Sequence, residues 1–345
     1  MESNKVVIRV DSSYAIGSGH LMRCLTMADQ LCKDGADVHF ISRDLVGSLH
    51  HLVSEHGFRL HLLPRHDVNP DLTGYTAWLT VLQKVDAEET GAILHQIQPV
   101  ERLVVDSYAL DAAWEQKMRP FVREIFVIDD LANRPHDCDV LLDQNYYRAM
   151  EHRYDGLVPE KCKLLLGPRH ALLREEFYEA RKKLRPRDGS LHRILVFYGG
   201  SDPTYETEKV IHALLQMRLT SVDVDVVVGG SNARRVQIEE LCAAHGFLHY
   251  HCQVSNMAEL MARADLALGA GGTTTWERCF LELPAIVTAI AENQFEICCD
   301  CAEVGFIYYL GRWNEVTEVD IARAVSKFMS PQVLKDFQQA CGIHA

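Results

Sequence analysis

The chain opens on a mainly apolar run, Lys5-Val6-Val7-Ile8-Arg9-Val10, followed by a polar loop from Asp11 to Gly19. Leu21, Leu25, Ala28 and Cys32 then follow the i, i+4, i+7, i+11 spacing of one helix face. This pattern predicts a buried strand, a loop at its carboxyl end and an amphipathic helix. Strands are expected next at residues 38–42, 59–63, 102–105 and 124–128, with helices at 45–56 and 76–96. A charged segment from Leu172 to Ser190 interrupts the alternation, and the pattern then restarts. Residues 192–198 read as a strand, 199–203 as a glycine loop, 205–216 as a helix and 222–228 as a nearly continuous buried strand. Such βαβ repetition predicts parallel sheets with helices on both faces. The expected fold class is α/β, with two Rossmann-like domains facing across a cleft. Their expected bounds are 1–170, a connecting segment at 171–190, a second domain at 191–330 and a helical tail at 331–345.

Composition narrows the function. The chain has 345 residues, 48% of them apolar, which is enough for two cores of ordinary size. A formal charge of −13 argues against nucleic acid or an anionic membrane as the main partner, because both require a basic face. A strand begins at Lys5 without a basic segment and apolar core ahead of it, and no apolar run approaches the ~20 residues of a membrane span. A cytoplasmic protein is expected; its protein partners are not legible. The eleven cysteines fall mostly in apolar helix or strand patterns, as at Cys24, Cys32 and Cys242, and are expected to be reduced. Cys298-Cys299-Asp300-Cys301 contains a C-x-x-C but has neither the second pair of a zinc site nor a thioredoxin context. No metal and no cofactor is expected.

The candidate chemistry lies in the loops. In Asp11-Ser12-Ser13-Tyr14-Ala15-Ile16-Gly17-Ser18-Gly19-His20-Leu21-Met22-Arg23, Gly17 and Gly19 would let a ligand approach the backbone, at the strand edge where open α/β sheets bind ligands. His20 and Arg23 would be neighbours on the first helical turn, beside the apolar face. The helix N-terminus and Arg23 would both disfavour imidazolium, leaving the neutral base that proton abstraction requires. Asp11, Asp106 and Asp129 end three strands that would share one rim; each could equally cap a helix or bend a loop. In Gly199-Gly200-Ser201-Asp202-Pro203, Asp202 suits an N-cap and Pro203 a first helical residue, while the glycines could admit a phosphate.

The loop from Asp265 to Glu277 carries Gly269, Gly271, Gly272, Thr273 and Thr274. Thr274-x-x-Glu277 fits a capping box. On the alternative reading Gly272 and Thr273 meet phosphates, and the Glu277 carboxylate accepts both hydroxyls of a ribose. Neither a P-loop nor an intact G-x-G-x-x-G is present.

Taken together, Asp11-Ser12-Ser13, Ile16-Gly17-x-Gly19-His20-x-x-Arg23, Ile128-Asp129-Asp130, His136-x-Cys138-Asp139 and Tyr154-x-Gly156-Leu157-Val158-Pro159 resemble the UDP-2,4-diacetamido-2,4,6-trideoxy-β-L-altropyranose hydrolases of pseudaminic acid biosynthesis. The likeness continues through Ala171-Leu172-Leu173-Arg174-Glu175-Glu176-Phe177, Gly199-Gly200-Ser201-Asp202 and Asn293-Gln294, to about Leu310. It implies a glycosyltransferase-B fold similar to that of the glycosyltransferase making lipid II, with uridine nucleotide bound by the C-terminal domain. By the resemblance His20 matches the catalytic base, Glu277 the ribose-binding glutamate, and Arg174 and Asn293 substrate-contacting positions, with Gln294 beside them. Tyr108 falls where family members place an aromatic near the sugar, Gly272 and Thr273 near the phosphates, and the Met257 backbone near uracil. The Gly-Gly-Thr-Thr-Thr loop is richer in glycine and threonine than the serine pair of some members. An acyltransferase domain, which some chains of this type carry, is not expected.

The implied ligand is a UDP-sugar. UDP is a weakly basic leaving group, so one base for one water suffices, and in-line attack at C1 would invert the anomeric centre without a covalent intermediate or a metal. Three alternatives stay open: a glycosyltransferase whose histidine activates an acceptor hydroxyl, a UDP-sugar 2-epimerase, and a binding protein without turnover.

Overall fold

The computed structural model describes residues 4–219 and 221–342. Residues 1–3 of the expected first domain, Thr220 of the second, and residues 343–345 of the expected tail lie outside the described residues. The chain forms two compact units, Met1–Asn145 with Ala149–Leu172, and Tyr146–Arg148 with Leu173–Ala345.

The first unit is built on seven strands: β1 (Lys5–Val10), β2 (Asp37–Arg43), β3 (Arg59–Leu63), β4 (Val100–Asp106), β5 (Val122–Ile128), β6 (Val140–Asp143) and β7 (Lys163–Leu166). They lie in the order β3-β2-β1-β4-β5-β6-β7, with every pairing parallel. Side chains alternate across β1, so Val6, Ile8 and Val10 pack with Leu21, Leu25 and Ala28 of the following helix, while Val7 faces the opposite core with Leu94 and Leu103. Arg9 shares the face of Val7. It is fully buried and is neutralised by Asp11 at 2.6 Å and Asp86 at 2.7 Å.

The second unit carries β8 (Arg193–Phe197), β9 (Asp223–Val228), β10 (Leu248–Cys252), β11 (Leu266–Ala270), β12 (Ala285–Ala289) and β13 (Tyr308–Arg312), ordered β10-β9-β8-β11-β12-β13. This sheet is also parallel throughout. Its core gathers β-branched residues such as Val224, Val226 and Val228 against Val210, Leu214 and Phe328 of flanking helices.

Several expectations are corrected. The helix expected at 45–56 is confined to His51–Glu55, because the chain turns at Gly47, where φ is +77°. The helix expected at 76–96 is two elements, a 3-10 turn at Gly74–Leu79 and an α-helix at Gln83–Ile97, separated by Thr80 in the left-handed region. Cys32 is exposed: the buried stripe of the first helix ends at Ala28. Pro203 is not a first helical residue. That helix spans Glu206–Met217, and Asp202 caps it from outside by accepting from the N–H groups of Glu206 (3.0 Å) and Thr207 (2.9 Å).

Candidate functional site

In the first unit the parallel register sets Val10 opposite Asp106, so the loop after β1 and the end of β4 meet at one rim. Gly17 adopts φ +79° and closes a tight turn through its N–H to the Ser13 carbonyl at 2.8 Å. A side chain at Gly17 or Gly19 would meet nothing within 4 Å, so both backbones border open space. The helix Gly19–Lys33 starts there and brings His20 and Arg23 to Asp106.

The His20 Nδ1 lies 2.6 Å from Asp106 Oδ1. Arg23 donates to both oxygens of the same carboxylate, from Nε and Nη2, each at 2.6 Å. A third Arg23 nitrogen reaches Asp130 at 3.2 Å. His20 and Arg23 are 8% and 6% exposed, within the buried layer rather than beside it as expected. Burial alone would raise the Asp106 carboxyl, but the Arg23 charge, with the hydrogen bonds from Arg23 and His20, outweighs it and holds the group well below the usual carboxylate range. A carboxylate so held accepts a hydrogen bond from Nδ1–H, which leaves the His20 Nε2 as the acceptor nitrogen.

Tyr108 packs edge-on to His20, centroids 4.6 Å apart, and its hydroxyl donates to Asp130. Burial and the Asp130 charge push that phenol well above its ordinary range, so it stays neutral. The expected electrostatics of His20 counted two positive neighbours and omitted this carboxylate. Asp106 was legible as a strand-end acid, yet its pairing with His20 depends on sheet register. Tyr75 and Trp78, whose rings join Tyr108, carried no signal in the sequence. Asp11 is absorbed by Arg9 and by the Arg43 N–H at 2.7 Å.

In the second unit the glycine-rich loop leaves β11 and enters the helix Thr274–Phe280. Gly271 is required by crowding, since a Cβ there would lie 2.2 Å from Cys298 Sγ. Cys298 and Cys301 sit buried on one face of the helix Phe295–Glu303, and burial pushes the Cys298 thiol up to about 12. The capping box does not form: Thr273 is the cap residue, without a side-chain hydrogen bond, and Thr274 is already helical. Glu277 instead accepts from Arg174, Nε at 3.3 Å and Nη2 at 3.1 Å. Burial raises the Glu277 carboxyl, the Arg174 charge opposing without cancelling it. Glu176 pairs with Arg174 and accepts from the N–H of Ala258, beside Met257 at the start of another helix. Gly272, Thr273 and Thr274 line the loop, and Asn293 and Gln294 lie on the turn Glu292–Gln294 after β12. The Gln294 amide approaches Gly272 and holds the Ile290 N–H at 3.0 Å. His20, Arg23 and Tyr108 therefore meet in the first unit, and Arg174, Glu277 and the loop residues gather in the second.

No protein-family model matches the chain. It is 25% identical over 304 residues to the UDP-2,4-diacetamido-2,4,6-trideoxy-β-L-altropyranose hydrolase of Campylobacter jejuni, covering 88% of this chain and 97% of that protein. Among solved structures it resembles MurG of Acinetobacter baumannii, with a TM-score of 0.67 at 14% identity over 99% of this chain and 95% of that one. It also resembles UGT89C1 of Arabidopsis thaliana complexed with UDP, with a TM-score of 0.67 at 13% identity over 98% and 94%. The two parallel sheets have the glycosyltransferase-B fold.

Proposed function

We propose that this protein hydrolyses a UDP-linked 2,4-diacetamido-2,4,6-trideoxy sugar at its anomeric C–O bond, with inversion, releasing UDP and the free sugar. The observation that carries the reading is the 2.6 Å pairing of His20 Nδ1 with the buried Asp106 carboxylate. Asp106 fixes the imidazole and Arg23 fixes Asp106, so Nε2 can take a proton from water as that water attacks C1 opposite the leaving group. The C1–O electron pair leaves with UDP, which needs no proton to depart. Glu277 accepts the ribose hydroxyls, the Met257 backbone meets uracil, and Gly272, Thr273 and Thr274 donate to the diphosphate. Arg174, Asn293, Gln294 and Tyr108 contact the remainder of the ligand, with Gly17 and Gly19 lining the reacting end. The 25% identity to a hydrolase of this substrate supports the assignment. The reaction proceeds in the cytoplasm and gives a metal no task.

Likeness to glycosyltransferases favours a second reading, in which the same histidine activates an acceptor hydroxyl. Reaction in ¹⁸O water without any acceptor separates the two. The hydrolase releases UDP and places the label on the sugar alone; label in UDP, or no release without acceptor, overturns the proposal. Treatment with EDTA should leave turnover unchanged, and activity restored only by Mg²⁺ or Mn²⁺ would defeat this mechanism.

A further inference from the structure

Beside His20 the turn Gly74–Leu79 builds a cluster of rings. Tyr75 and Trp78 are three residues apart on a helix of three residues per turn, so they project on one side. Their centroids are 4.9 Å apart; Tyr75 lies 5.0 Å from Tyr108, Trp78 lies 5.6 Å from Tyr108, and Trp78 lies 5.9 Å from His20. Leu79 is buried in the core beneath, which anchors the turn, and Trp78 packs on the same core with one part of its ring.

Core packing alone does not account for this arrangement. Tyr108 is 7% exposed, but Tyr75 and Trp78 remain only half-buried. Trp114, a tryptophan that does serve the core, donates its Nε1–H to Asp86 at 3.0 Å. The Trp78 indole N–H and the Tyr75 hydroxyl make no hydrogen bond to the described residues. Two aromatic faces with two unused donors therefore stand next to the imidazole.

We infer that Tyr75 and Trp78, continuing Tyr108, form a wall that selects an N-acylated, deoxygenated sugar over a fully hydroxylated one. The inference rests on the reading of His20 as the base for a UDP-sugar. Aromatic faces receive the C–H face of a pyranose, an acetamido methyl or a C6 methyl, and gain by removing apolar area from water. A hydroxyl at the same place would lose its water without an acceptor in the ring face. The two donors suit the carbonyl of an acetamido group, so the wall is apolar toward the sugar carbons and polar only at its edge.

The test compares UDP-2,4-diacetamido-2,4,6-trideoxyhexose with UDP-glucose in the wild type, Trp78→Leu, Trp78→Phe and Tyr75→Leu, with UDP affinity measured by calorimetry alongside. Trp78→Leu should raise KM for the diacetamido substrate about tenfold, narrow the preference over UDP-glucose and leave UDP affinity unchanged. Trp78→Phe keeps the ring and should lose less, which separates a lost wall from a damaged fold. Unaltered KM and preference in all three variants, or a wild type that prefers UDP-glucose, would overturn the inference. Should the wild type release UDP from neither substrate, the hydrolase reading falls and the wall is judged by intrinsic fluorescence on titration with the free diacetamido sugar. A change lost in Trp78→Phe supports the wall, and no change in the wild type overturns it.

Discussion

The surroundings of His20 and those of Glu277 are built on opposite principles. Around His20 the charged groups satisfy one another: Asp106 is held by three nitrogens, Arg23 spans two carboxylates and Tyr108 is bonded to Asp130. Around Glu277, Gly272 is half-buried, Thr273 and Asn293 are exposed, and Arg174 ties down the two acidic groups, Glu277 and Glu176. The first arrangement is complete before a ligand arrives, as electrostatic preorganisation requires of a group that moves a proton. The second offers backbone and hydroxyl groups whose partners a ligand would supply. Substitutions in the first region should therefore damage turnover and stability, and substitutions in the second should damage affinity.

The largest effect should come from His20→Ala. Turnover should fall by ~10²–10⁴-fold, the range for a general base, with UDP affinity unchanged in calorimetry. A near-normal rate would place the base elsewhere, and Asp11, already engaged by Arg9 and Arg43, would be a poor replacement.

Asp106→Ala tests whether the first region is also a structural unit. It removes the principal counter-charge of Arg23, whose guanidinium is almost wholly buried, and should cost about 3–5 kcal/mol of stability. Denaturant unfolding would measure it. A loss near zero would mean that Asp130 alone can neutralise Arg23, and the contrast between the two regions would narrow to catalysis.

Glu277→Gln addresses the second region. UDP affinity should weaken by roughly 1–3 kcal/mol, the range for a charged hydrogen bond, with a loss of stability smaller than that of Asp106→Ala, because Arg174 stays partly exposed and keeps Glu176. The absence of a capping bond at Thr273 and Thr274 leaves the carboxylate without a role in starting the helix. Unchanged affinity combined with lost stability would reverse the assignment.

What was legible in the sequence follows the same division. The strand Lys5–Val10 and the loop that places His20 were plain, because an apolar run, glycines and helix spacing all agree there. The strands Arg59–Leu63 and Asp223–Val228 were legible for similar reasons. Val140–Asp143 and Lys163–Leu166 were not: with four residues each, they are too short for periodicity to separate from loop. The break at Thr80 was hidden because residues 76–85 carry the helical pattern across it without glycine or proline, and the turn that ends there sets Trp78 beside His20. Pairings such as His20 with Asp106, 86 residues apart, belong to sheet register, which no local pattern contains.

A pH-dependent effect tests whether the order of the first region extends past the pairing of His20 with Asp106. Asp143, at the end of β6, lies 3.2 Å from the Tyr154 hydroxyl and accepts the Asn145 N–H at 3.0 Å. Burial, aided by the Asp130 charge, pushes its carboxyl up to about 8, whereas an unfolded aspartate titrates near 3.9. Between these values the folded chain keeps a proton that the unfolded chain has lost. The contribution to stability is therefore complete below about pH 4 and disappears as the pH rises to about 8, with a slope of at most ~1.4 kcal/mol per pH unit. Asp143→Asn keeps the neutral form and removes the slope, so the variant should gain on the wild type as pH rises from about 5 to about 8. Urea midpoints across that range would measure the gain. A constant difference would mean that Asp143 is ionised in the fold, and the buried acids beside His20 would then be balanced by charge rather than by a retained proton.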